Sequence, residues 1–370
     1  MKIPKLPKND SRSTWIRLGI LAIVIRIFFG LFPSVCESLY ARGLYPWIRS
    51  FFDHTFAYLP FPGVYIFAGI IAIWLPIVLY KFIRNRLLKV PFRQTLFSFV
   101  AGLSGLIFWF LLLWGFNYAR VPVAQQMQLE VPEYLGHQEI WAEANYIKQK
   151  CIATRNSIPN LDTNAITSQY YPEDLETEMR GLLEEVLAIY GYDTTGQVSG
   201  RVLYPKGSLL HFSSSGVYFP FTGEGHIDAG MPTMTQPFTM AHELAHGYGF
   251  GDEAVCNFWG FLACIRSENP AIQYSGYLTY WRYVYGELQA FTTEENYQKE
   301  RATISRGMYN DLEMLYETLD SYPPFIPFLQ QTAYDMYLKA QGVEEGIESY
   351  NEVVLWVSAW RKKYPTTVVQ

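Results

Sequence analysis

The stretch 235-TQPFTMAHELAHGYGFGDEAVCNF-258 sets His242 and His246 four residues apart with Glu243 between them, then follows them with Gly247, Gly249, Gly251 and the acidic pair Asp252 and Glu253. Residues four apart stand one above the other on a helix face, so two imidazoles can meet one ion. The glutamate between them is rotated by about 100° and reaches a metal-bound water rather than the metal. Pro237 suits the first turn of such a helix, and the glycines after His246 suit a left-handed stop. The stop matters because the chain must turn back to supply a third ligand.

Two acids compete for that position. HGYGFGD fits an HxxGxxD arrangement that would bring Asp252 to the ion. Alternatively, Glu253 opens the next helix, EAVCNFWGFLAC, with its carboxylate pointing back and Asn257 one turn later as a supporting partner. Glu253 is the expected ligand, because Asp252 has a ready role as N-cap that a glutamate one position further in does not need. His226 is a more remote alternative.

Zinc is the metal this donor set favours. The expected chemistry is that of a zinc hydrolase: the ion polarises a substrate carbonyl and acidifies its water, and Glu243 takes that water's proton and later hands it to the leaving amine. The tyrosine-rich segment beyond the motif offers Tyr274, Tyr277 and Tyr280 as oxyanion stabilisers, although 28 tyrosines in the chain make core packing their more ordinary role. With only 6 histidines in 370 residues, the motif followed by a glycine turn and an acid is hard to obtain by accident. A metal-stabilised protein that cuts nothing, and instead binds peptides or assembles an envelope complex, is the alternative. The presence of Glu243 argues against it.

Outward from the motif, the chain is strongly polarised. Residues 1–118 hold 13 Lys and Arg against 3 acids, leaving 16 basic and 31 acidic residues beyond, so the two parts carry about +10 and −15. An acidic C-terminal part without a basic cluster excludes nucleic acid as a partner. Three apolar runs, about 15–35, 61–80 and 95–116, are each long enough to span a bilayer. Arg26 lies well inside the first, which implies that it faces another helix or that the span is shifted. A signal peptide is disfavoured because no small-residue cleavage site follows that run.

Lys2, Lys5, Lys8, Arg12 and Arg17 precede the first span, and Lys81, Arg84, Arg86, Lys89 and Arg93 follow the second. Both clusters belong in the cytoplasm, which puts residues 119–370 on the outer face. The segment 37-ESLYARGLYPWIRSFF-52 reads as a half-buried interfacial helix. Cleavage within the membrane is excluded, since the motif lies about 120 residues past the last span among charged and glycine-rich neighbours.

Residues 119–370 show no linker or repeat and read as one domain, mainly α with a small β-sheet. Helices are expected over 139–155, 172–190, 274–291, 309–319 and 347–364. Short β-prone pieces, VLYP, LLHFSSS and GVYFPF, lie between Arg201 and Asp228. The segment 219-FPFTGEGHID-228 could be an edge strand aligning an extended peptide, with Glu224 or His226 near the cleft; a glycine turn leaving a sheet is the plainer reading. His54, His137 and His211 have no partner spacing. Cys256 and Cys264, eight residues apart on one helix, are too distant to pair, and with Cys36 and Cys151 they read as buried hydrophobes.

The runs YFPFTGEGHID, PFTMAHELAHGYGF, DEAVCNFWGFLAC and IQYSGYL, with ESLYARGLYPWI before them and YLKAQGVEEGIESYNEVVLW after, closely resemble a bacterial membrane family, domain of unknown function 3810, over about Trp15 to Trp360. The resemblance implies a multi-pass bacterial membrane protein with N-terminal transmembrane helices, a zincin-like metallopeptidase ectodomain and a peptide or protein substrate. It also implies an acid at the position of Glu253. The chain departs from the commoner acidic-Glu-Ala-Asn-Phe run by placing Val255 and Cys256 before Asn257 and Phe258, which removes a second candidate glutamate.

Overall fold

Asp10 accepts a hydrogen bond from the Arg12 amide at 3.0 Å and caps α1, Ser11–Leu31, which stops where Phe32 precedes Pro33. The computed structural model describes residues 10–88, 91–341 and 350–365. Lys2, Lys5, Lys8 and Lys89 of the basic flanks, and residues 347–349 of the last expected helix, lie outside the described residues. The chain forms two units: one runs to Val121 and takes in Phe219–Gly223, and the other comprises Pro122–Tyr218 and Glu224 onward. The division thus falls three residues beyond the expected 118/119 boundary, and a short later segment joins the first unit.

In the first unit a brief α2, Pro33–Cys36, runs into a π-helical turn, Glu37–Leu44, and α3, Tyr45–Asp53. This stretch is half-buried: Glu37, Tyr40, Tyr45, Arg49 and Phe52 face inward while Trp47 and Phe51 are exposed. Glu37 pairs with Arg42 (2.9 Å) and Arg120 (2.9 Å). Two long apolar helices follow, α4, Val64–Leu87, and α5, Phe92–Leu113. With α1 they make, among the described residues, three helices long and apolar enough to cross a membrane. The second and third begin three residues later and three earlier, respectively, than the apolar runs alone suggest. α1 lies along α5 where Gly19 meets Ser104; a Cβ at Gly19 would come within 2.7 Å of Ser104 Cβ, a small-residue contact typical of helices packed in lipid. The Phe219 and Phe221 rings stand 5.2 and 5.8 Å from that of Phe67, at the start of α4.

The second unit opens with a short α6, Val123–Met127, followed by α7, His137–Asn156, and α8, Leu175–Ile189, whose Asp174 caps Thr177 at 3.1 Å. Then come β1, Ser199–Leu203, β2, Gly216–Phe219, and β3, Glu224–Asp228, in spatial order β1-β3-β2 with β1 and β3 parallel, Ser199 opposite Glu224 and Leu203 opposite Asp228. β3 is the fully buried central strand, so 219–228 is not an edge; the turn at Gly223 (φ +71°) hands the chain back to β3. LLHFSSS is a 3₁₀ turn rather than a strand, held by Asp228, which accepts from the amides of Gly207 (2.8 Å) and Leu209 (2.6 Å).

The remaining helices are α9, Gln236–Gly247; α10, Glu253–Arg266; α11, Pro270–Phe291; α12, Glu294–Arg301; α13, Arg306–Asp320; α14, Pro327–Gln341; and α15, Val353–Lys363. α12 and α14 escaped the periodicity reading: α12 buries only Tyr297, and α14 begins within the proline-broken run PPFIPF. α9 packs between β3 and α10, with α8 and α11 flanking. Glycines set that approach. Gly200 and Gly225 are opposite one another on β1 and β3, and a Cβ on Gly225 would fall 2.9 Å from Glu243 Cβ and 3.1 Å from its carbonyl oxygen.

Away from the sheet, Arg155 of α7 is buried with its Nε 2.7 Å from Asp311 Oδ2 of α13. Its guanidinium also donates to the carbonyls of Asp162 (2.8 Å) and Asn164 (2.6 Å), while Asp311 accepts from the Ile166 amide (2.8 Å) and the Tyr274 hydroxyl (2.6 Å). Asp311→Ala strands a buried guanidinium, an amide and a phenol. It is expected to cost about 3–5 kcal/mol, measured as a fall in denaturation midpoint; a loss below about 1 kcal/mol would show that the three helices are held elsewhere.

Candidate metal centre

Pro237 sits in the first turn of α9, and the helix carries His242, Glu243 and His246 on the side facing β3 and α10. After Gly247 the chain reverses through Gly249 (φ +90°), a left-handed conformation that glycine adopts without steric cost. The reversal ends at Asp252, whose backbone is extended and whose side chain accepts from the Val255 amide at 3.0 Å. Asp252 is therefore the N-cap of α10, and its carboxylate is engaged there. Glu253, the first residue of the helix, points back.

The result is a cluster of three donors, His242, His246 and Glu253, each able to contribute one ligand atom, with those atoms within 4.8 Å of one another. His242 Nε2 and His246 Nε2 are 3.1 Å apart, and Glu253 Oε2 lies 3.1 Å from the first and 3.3 Å from the second. Asp252 and His226 are not in the cluster. His226 is on β3, with Nδ1 3.3 Å from the Val217 carbonyl and Nε2 3.6 Å from Glu224. Tyr274 and Tyr280 are consumed in the core, donating to Asp311 and Glu143, and Tyr277 packs on Phe261. His54, His137 and His211 lie against Ser50, Trp141 and Phe325. All four cysteines are buried and free.

The tautomers of the two rings follow from their outer partners. His246 Nδ1 is 2.8 Å from the Phe250 carbonyl, which can only accept, so Nδ1 carries the hydrogen. His242 Nδ1 is 2.9 Å from Asn257 Oδ1. The orientation of that amide is set by Nδ2, which donates to the Tyr350 carbonyl at 3.2 Å. When neutral, both rings thus present bare Nε2 lone pairs to each other and to a carboxylate oxygen. Three acceptors within 3.3 Å repel unless a cation lies between them. Zinc bonds of about 2.0–2.1 Å in tetrahedral array give ligand separations of about 3.3 Å, so the residues fit the ion.

Without a cation, a proton takes its place: burial alone would push the Glu253 carboxyl up, but the charge of a protonated His246 and the hydrogen bonds that protonated rings donate hold it well below the usual carboxylate range. Burial raises the pKa of Glu243, with His242 and His246 pulling it part of the way back. Glu243 Oε2 is buried and has no hydrogen-bond partner among the described residues. The four motif residues are at most 7% exposed, so charges here act through little water. Three supporting groups were not legible in advance: the Phe250 carbonyl and the side chains of Tyr334 and Tyr350. Nothing separates those two phenols from the other tyrosines until the fold brings them in.

A family model described as "Protein of unknown function (DUF3810)" matches residues 40–358. The chain belongs to this family. Comparison with curated proteins and with solved structures finds no match. The match to DUF3810 takes in α9, α10 and all the supporting groups, but its description names no activity, so function must be argued from the site's chemistry.

Two glycines make room for Glu243. A Cβ on Gly216 would collide with Glu243 Oε1, and one on Gly225 would press on the α9 backbone. Gly225→Ala is expected to destabilise by about 1–3 kcal/mol through overpacking. Gly286→Ala on α11, with open space around it, should be neutral or stabilising by up to about 1 kcal/mol. Equal denaturation midpoints for the two variants would contradict this packing.

Proposed function

We propose that the second unit is a zincin-like zinc metallopeptidase domain that hydrolyses peptide bonds. His242, His246 and Glu253 would hold the ion. Zinc, when bound, supplies Lewis acidity toward a substrate carbonyl and makes water acidic near neutral pH. Glu243 accepts the proton of the attacking water and passes it to the leaving amine, and burial makes its carboxylate a better base for that task. The surrounding apolar packing excludes bulk water. The observation that carries this reading is the unpartnered buried oxygen of Glu243 beside three converging lone pairs. A purely structural ion needs no such group, and leaving a carboxylate oxygen unpartnered in the interior is costly.

One observation favours a second reading, a metal-stabilised protein that binds peptides without cutting them. The motif residues are almost fully covered, as in closed structural sites. The two readings part on Glu243→Gln in the detergent-solubilised full-length protein. The peptidase reading expects one zinc per chain in both wild type and variant, and cleavage of a peptide library reduced at least about 100-fold in the variant. Wild type loaded with zinc yet silent on every peptide would favour the second reading. Under both, adding zinc to chelator-treated protein at a free concentration 100 times Kd should stabilise it by about 2.7 kcal/mol, and His246→Ala should abolish that gain.

We further propose that the three apolar helices cross a bacterial cell membrane with the N-terminus inside, which places the metallopeptidase unit outside. The support is the basic residues at the end of α4 and the start of α5, Lys81, Arg84, Arg86 and Arg93, and the charge-balanced stretch between α1 and α4. A reporter fused after Gln370 should be active only if it requires an extracytoplasmic location. Activity confined to a cytoplasmic reporter would overturn the orientation.

A further inference from the structure

Glu253 is held at both oxygens. Oε2 faces His242 Nε2 at 3.1 Å and His246 Nε2 at 3.3 Å, whereas Oε1 accepts from the Tyr334 hydroxyl of α14 at 2.7 Å. A carboxylate only accepts, so Tyr334 commits its single O–H to Glu253. The Tyr350 hydroxyl, 3.0 Å away, is then the donor to Tyr334. Tyr350 also reaches the first ligand. Its carbonyl accepts from Asn257 Nδ2, Asn257 Oδ1 accepts from His242 Nδ1, and its ring lies nearly parallel to the imidazole at 6.2 Å. His242 and Glu253 are thereby joined by one hydrogen-bonded circuit through two tyrosines that come from 81 residues beyond Glu253 and 93 beyond Asn257.

We propose that Tyr334 is a positioning residue that restricts Glu253 to one ligating oxygen, Oε2, and so keeps a coordination position open at the metal. The inference rests on the metal-binding reading above. A carboxylate free at both oxygens can close on a cation through both, as it does in many oxygen-ligand sites. That would occupy the place a catalytic zinc site leaves for substrate. With Oε1 tied to a phenol, turning it to the ion would break a hydrogen bond to a charged acceptor that is itself buried. The Tyr350 hydroxyl polarises Tyr334 and strengthens that bond. The arrangement also divides labour: the α9–α10 junction supplies the donors, and α14 fixes how one of them is used.

The test is metal titration of the full-length protein in detergent, with Zn2+ for affinity and Co2+ for coordination number, comparing wild type, Tyr334→Phe, Tyr350→Phe and His246→Ala. Tyr334→Phe should raise the zinc Kd about 10- to 100-fold and weaken the visible Co2+ band, as a fourth-to-fifth ligand change does. Tyr350→Phe should shift both in the same direction by less, and it keeps the question decidable if the first variant does not fold. Unchanged Kd and Co2+ band in folded variants, beside a wild type that binds one metal and a His246→Ala that binds none, would overturn the positioning role while leaving the metal site intact. A wild type that binds no metal would overturn the metal reading, and this inference with it.

Discussion

Two imidazole nitrogens and a carboxylate oxygen, all acceptors, are brought within 3.3 Å of one another in the interior. Much of the second unit is arranged around that unfavourable convergence. The Phe250 carbonyl and Asn257 fix which nitrogens carry hydrogen, so neither ring can relieve the repulsion by changing tautomer. Gly249 supplies the backbone reversal that returns the chain, and Asp252 caps α10 so that Glu253 begins it in helical geometry. The glycines of β1 and β3 let α9 sit close enough to the sheet to keep Glu243 against it. Without a cation, a proton is the available substitute. Burial works against a charged His246 ring, but Cys256 and Glu253 outweigh it and raise its pKa well above the usual range.

Burial has opposite effects on the two glutamates, and the difference is chemical. Glu253 accepts from Tyr334 at Oε1 and turns Oε2 to the two imidazoles, and its carboxyl is held well below the usual range despite its position. Glu243 has an oxygen with none and is pushed toward its neutral form. Environments that separate the pKa values of neighbouring carboxyls are how one site assigns them different tasks. Here the better-paired carboxylate suits a ligand and the poorly paired one a base. The paired glycines on the sheet and the lack of a partner for Glu243 Oε2 among the described residues belong to the same arrangement: at Gly216 and Gly225 no side chain crowds that carboxylate.

The donors were legible because local geometry makes them so. His242 and His246 share a helix face by spacing alone, and the choice of Glu253 over Asp252 followed from what an N-cap requires. The second and third apolar helices were equally plain, since a run of uncharged residues carries its own explanation, whereas Arg26 made the first less so. What the sequence did not reveal depends on contacts between distant parts of the chain. Strand order is one case: 219–228 has the composition of an edge hairpin, yet β3 is central because β1 pairs with it in parallel. The tyrosines are another, since Tyr334 and Tyr350 acquire their roles only when α14 and the start of the last helical segment reach α10.

The offset between Asp252 and Glu253 shows how little freedom the site has. Asp252 is extended (φ −85°, ψ 129°) and turns its short side chain onto the Val255 amide. To reach the histidines it would have to give up the cap and leave an amide at the start of α10 without its acceptor. Glu253 lies one residue further along, inside the helix, where its longer side chain carries the carboxylate back across the turn. One residue caps and the next joins the His242–His246 cluster, and they cannot exchange places because the cap needs the short side chain and the cluster the long one. The same logic extends outward. A carboxylate thrown that far has torsional freedom, and the Tyr334 hydroxyl removes it by holding the oxygen the histidines do not face.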